Sequence, residues 1–67
     1  MGNSEQSIQL IRDYRQATKE MGIAIHNFKD VYLEGEDHKD IRIARENALE
    51  LLEVWSKTAQ KLLSALN

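Results

Sequence analysis

The sequence contains no cysteine and no proline, three glycines, two histidines and a single tryptophan. Lacking cysteine, it can hold neither a disulfide framework nor a thiolate metal site. Lacking proline, it has almost no punctuation: of Gly2, Gly22 and Gly35, only Gly35 stands where the apolar patterning stops. No uncharged run approaches the roughly 18–20 residues of a membrane span, and the start lacks the basic-then-apolar layout of a signal peptide. A cytoplasmic location is therefore expected. Gln6 stands where a myristoylation signal opening at Gly2 needs Ser or Thr, so Met1-Gly2 reads as a start or a cloning scar. Net charge −2 and a pI near 5.6 give no global attraction to nucleic acid or anionic membrane.

What is present is helical patterning on a chain of one domain, residues 1–67, with 42% apolar and 30% charged residues. That balance is too apolar for a disordered chain. One apolar stripe runs Ile11, Tyr14, Thr18, Met21, Ile25, Phe28, Tyr32; a second runs Ile41, Ala44, Ala48, Leu51, Trp55, Thr58, Leu62, Ala65. Both step by three and four, as one face of a helix does. The spacing predicts an all-α antiparallel hairpin: a helix over about 4–33, a turn at 34–37 and a helix over about 38–66, preceded by an unstructured start at 1–3. Asn3, with Gln6 three residues on, suits a cap of the first helix; Gly35 suits a left-handed helix end; Asp37 caps the second helix and Asp40 adds charge to its first turn. Gly22 supports an alternative, a three-helix bundle with a break there, although the apolar phase carries on from Met21 to Ile25.

Width adds a second expectation. Leu10, Ala17, Ala24 and Val31 broaden the first stripe to about 160°, and Leu49, Leu52, Ala59, Leu63 and Leu66 broaden the second. A hairpin uses only one seam per helix, so the surplus calls for another neighbour. Chains of this size rarely derive more than roughly 3–5 kcal/mol from one core, and oligomerisation is the device left without cysteine. A homodimer forming a four-helix bundle is expected, with an interface drawn from Leu10, Ala17, Met21, Phe28, Leu49, Leu52, Trp55 and Leu63. Small residues, Ala17, Ala24, Ala44, Ala48 and Ala59, allow close approach at some layers, and Tyr14, Phe28, Tyr32 and Trp55 fill others.

Catalytic chemistry finds little support. His26 and His38 are the only imidazoles. The crowded acids Glu34, Glu36, Asp37 and Asp40 do not follow the alternation of an EF-hand loop and are explained by helix capping. Ser4, Ser7, Thr18, Ser56, Thr58 and Ser64 lack a base nearby, no phosphate-binding glycine loop occurs, and neither does the Glu-x-x-His pairing of bundle carboxylate sites. An enzyme is not expected, nor a cofactor or metal. Ile23, Ile43 and Val54 stand off the main stripes, and with Glu46 and Glu50 on the outer face of helix two they are candidates for contact with a larger protein partner. Arg12, Arg15, Lys19, His26 and Lys29 form a basic flank on helix one. The expected function is a small protein-binding module, an inhibitor, adaptor or regulator of the kind common among phage and plasmid products. The alternative is a nucleic-acid-binding bundle using Arg12, Arg15, Lys19 and Lys29, comparable in architecture, though not in any motif, with Rop-like RNA-binding hairpin dimers.

Overall fold

In a computed structural model, which describes residues 3–35 and 37–65 with side chains from Glu5 onward, the chain forms two helices. These are α1, Asn3–Leu33, and α2, His38–Ala65. They pack antiparallel as a hairpin whose Cα atoms span 53 × 13 × 13 Å. Capping by the Asn3 side chain, Glu36 of the turn and the terminal Leu66 lie outside the described residues. So does the expected unstructured start, except that Asn3 is already helical.

The turn follows from local chemistry. Helix α1 ends where the Glu34 amide donates to the Asp30 carbonyl at 3.0 Å and the Gly35 amide donates to the Tyr32 carbonyl at 3.3 Å. Gly35 sits at φ 69°, the left-handed position that closes a helix by such a back-bond and that a Cβ disfavours. On the far side the Ile41 amide donates to the Asp37 carbonyl at 3.1 Å, which places Asp37 at the cap of α2. The three-helix alternative does not form: α1 passes through Gly22 without interruption. One continuous apolar phase on both sides of Gly22 outweighs its cost of about 1 kcal/mol.

The seam between the helices is small. Among the described residues only Ala17, Ala24 and Ala44 are buried, at 6%, 3% and 6% exposure. Half-buried around them are Leu10, Tyr14, Met21, Phe28 and Val31 of α1 and Ile41, Ala48, Leu51, Trp55, Thr58 and Leu62 of α2. On α2 this is the stripe expected from the sequence except at its end, where Ala65 is exposed. On α1 the centre is displaced: Leu10, Ala17, Ala24 and Val31, a flank by sequence spacing, form half of the seam, while Ile11, Ile25 and Tyr32 are exposed. The reason is steric, since alanines let two backbones approach more closely than isoleucines do.

One polar cluster crosses the seam. The Trp55 Nε1–H donates to Thr18 Oγ1 at 2.9 Å, and the Thr18 hydroxyl donates to the Tyr14 carbonyl at 2.8 Å. The Tyr14 and Trp55 rings lie 6.1 Å apart, tilted by 37°, and the Thr58 hydroxyl donates to the Trp55 carbonyl at 2.8 Å. The cluster fixes α1 against α2 lengthwise, with Trp55 level with residues 14–18.

Two stability measurements test the turn and the cluster. Gly35→Ala should lower stability by about 1 kcal/mol through backbone strain alone, because nothing lies within 4 Å of the added Cβ. In a melt at fixed concentration that is about 4–8 °C, whereas an unchanged midpoint would show that the left-handed position carries no cost. Thr18→Val keeps the volume but removes the acceptor, and should cost about 1 kcal/mol while the Trp55 indole N–H resonance shifts. An unmoved indole resonance would mean that the bond is not formed in solution.

Candidate interaction surface

A pair of helices in contact along one line has two open sides. The Trp55–Thr18 bond marks one of them. On α1, Thr18 belongs to the stripe Ile11, Thr18, Ile25, Tyr32, at seven-residue spacing; Ile8, Arg15, Gly22 and Lys29 form the next stripe outward. On α2, Leu52 and Ala59 flank Trp55 on the corresponding side, with Leu49, Ser56 and Leu63 next to them. Large apolar side chains on this tryptophan side are exposed. Ile8, Ile11 and Ile25 are 49%, 40% and 46% exposed, and Leu49, Leu52 and Leu63 are 56%, 40% and 65% exposed.

The other side is a groove in which Glu20, Ile23 and Asn27 of α1 meet Asn47 and Leu51 of α2. Ile43 and Val54 lie on this groove side too, four residues before and seven after Asn47. The hairpin thus brings the off-stripe aliphatics Ile23, Ile43 and Val54, scattered in sequence, to one side, where all three are exposed. Nearer the open end of the hairpin, Leu10, Lys57, Lys61, Ser64 and Ala65 line a second shallow groove.

The expected interface residues therefore divide. Ala17 is consumed inside the single hairpin; Leu10, Met21, Phe28 and Trp55 are half-buried along its seam; Leu49, Leu52 and Leu63 are free on the tryptophan side. The sequence pattern does not single out Ile8, and it places Ile11 and Ile25 in the seam. Their seven-residue spacing beside the Leu10, Ala17, Ala24, Val31 line is the signal that separates them. Glu46 and Glu50 are exposed on α2, as expected.

Charge is segregated as well. Arg12, Arg15, Lys19 and Lys29 are all exposed on α1. Lys29 Nζ lies 3.7 Å from Asp30, which also takes His26 at 3.5 Å. Lys57 pairs with Glu53 at 3.3 Å, the i, i+4 pair expected from spacing. These exposed pairs contribute only tenths of a kcal/mol. Among the described residues no three His, Asp or Glu side chains converge as metal ligands, and no helix is long and apolar enough to cross a membrane.

Comparison with protein-family models, with curated proteins and with solved structures finds no match to this chain.

Proposed function

We propose that this chain is a small non-enzymatic protein-binding module that works as a homo-oligomeric helical bundle. The supporting observation is the apolar surface that one hairpin leaves uncovered. The total accessible area of the chain, polar and apolar together, is 5460 Å² for 7.7 kDa. A folded monomer of that mass ordinarily exposes roughly 4,300 Å², so the excess is about 1,100 Å². A standard interface covers about 800 Å² on each partner. The surplus is thus of the size one docked neighbour removes. Some of it reflects the rod shape, and the rod shape is itself what a further layer of helices corrects.

In this reading the bundle leaves outward the groove side of each hairpin, with Ile23, Ile43 and Val54, and the acidic outer face of α2, with Glu46 and Glu50. Such a rigid helical surface suits an inhibitor, adaptor or regulator that contacts a larger protein. A nucleic-acid reading rests on a different observation, the exposed basic flank of α1, which a two-fold dimer doubles.

Two experiments separate these possibilities. Over a dilution series, sedimentation should report a dimer at high concentration, with helicity falling as it dissociates. A well-folded monomer throughout would sink the bundle. In a pull-down from the native host, Ile43→Asp with Val54→Asp should abolish capture of a protein that survives nuclease treatment. Loss of binding instead in Arg12→Glu with Lys19→Glu, together with a flattened salt dependence, would transfer the function to nucleic acid.

A further inference from the structure

The bundle reading leaves open which side of the hairpin meets its copy and in which direction. Given that reading, the distribution of charge and apolar surface over the hairpin decides both. The tryptophan side carries the larger apolar surface, and among its described residues there is no Asp or Glu. Its charges are Arg15, Lys29, Arg42 and Arg45. Carboxylates gather on the groove side, where Asp13, Glu20, Asp30, Asp40 and Glu50 fall by spacing and outnumber Lys57 and Lys61 of the same side. The two sides therefore differ: one carries the larger apolar surface with basic side chains only, the other fewer exposed aliphatics, Ile23, Ile43 and Val54, among charges of both signs with carboxylates in excess.

We propose that a second copy of this chain docks on the tryptophan side, the turn end of one hairpin against the open end of the other, about a two-fold axis level with Thr18 and Leu52. In this arrangement α1 lies on α1 and α2 on α2, each pair antiparallel. Residues equally far from the axis then face one another. Ile11 meets Ile25 of the second copy, and Leu52 meets its own copy. Each basic side chain finds an uncharged neighbour: Lys29 reaches Ile8 of the second copy, Arg15 reaches Gly22, Arg42 reaches Leu63 and Arg45 reaches Ala59. Long aliphatic stems cover apolar surface there while their charged ends stay in water.

Reversing the direction removes this match. With both turn ends on the same side, α1 lies on α2 of the second copy at equal heights. Lys29 is six residues before Gly35 and Arg42 is seven after it, so these two cations would be set against each other twice, with Asp30 at 3.7 Å from Lys29 offsetting part of the repulsion. Like charges juxtaposed across an interface select against that arrangement. Stacking the basic side of one hairpin on the acidic side of the next satisfies charge, but it covers less apolar surface and builds an open chain of copies rather than a closed pair.

Gly22 gives independent support. A glycine inside a helix costs about 1 kcal/mol against alanine, and nothing in the hairpin lies within 4 Å of where its Cβ would be. The hairpin has no use for it. In the proposed dimer its bare backbone is the place where Arg15 of the second copy crosses.

Sedimentation equilibrium of the wild type, Leu52→Glu and Ile43→Glu tests the assignment. Leu52→Glu puts two carboxylates face to face on the axis and should weaken the dimer about 100-fold or more, a loss of about 2.7 kcal/mol. Ile43→Glu, on the groove side, should leave the dissociation constant within about three-fold. The converse, a dimer that tolerates Leu52→Glu and is broken by Ile43→Glu, overturns the choice of side while leaving the bundle standing. A wild type that stays monomeric removes both, and one that grows past the dimer overturns the closed two-fold. Direction is read from a label near the turn end, in a variant first shown by sedimentation to remain dimeric. The chain has no cysteine, so Tyr32→Cys, at a position 63% exposed, accepts one spin label per copy. Turn-to-open-end docking sets these labels about 40 Å apart at 1.5 Å per residue. A separation under about 20 Å would overturn the direction.

Discussion

Two helices touch along a single line, and every other property of this molecule follows from that geometric limit. A line of contact can enclose only what lies between two backbones, which here is alanine: Ala17, Ala24 and Ala44 are buried, and no larger described side chain is. Small residues bring the axes together, and close axes push the isoleucines and leucines outward. The hairpin therefore gains shape from its seam without gaining a core. Most of its apolar area remains available for whatever is added as a further layer.

Within that limit the Trp55, Thr18 and Tyr14 cluster gives the seam its register. Helix-on-helix packing along small residues slides easily, because alanine rows present few distinct ridges. A half-buried indole N–H held by one hydroxyl at 2.9 Å selects one height out of several. Since heights along the hairpin decide which basic side chain faces which aliphatic one, this bond connects the internal fold to the external surface. In the proposed dimer, register inside a protomer and complementarity between protomers would be the same constraint seen twice.

Much of the fold was legible in the sequence, and for identifiable reasons. Gly35 and Asp37 mark the turn because a left-handed helix end and a helix cap each demand particular residue types. The uninterrupted phase from Met21 to Ile25 shows that Gly22 does not break α1. The seam on α1 was less legible. Its apolar arc is wide enough to contain two adjacent lines, Leu10 to Val31 and Ile11 to Tyr32, and hydrophobicity alone does not say which faces the near neighbour. Alanine content does, since the line with Ala17 and Ala24 permits the closer approach. Nor could the separation of acidic from basic sides be read from either helix alone. Asp13 and Glu20 join Asp40 and Glu50 on one side only once the two helices are paired antiparallel.

In the proposed arrangement a lone hairpin is half of the working unit, and its other half lies alongside it. Small-angle X-ray scattering on a concentrated, monodisperse solution tests this directly, because it reports mass, length and thickness together. Side-by-side pairing predicts a particle of twice 7.7 kDa, with a length near the hairpin's own 53 Å and a thickened cross-section. Scattering by a 7.7 kDa rod with a radius of gyration near 15.3 Å, or by a dimer roughly doubled in length, would contradict it.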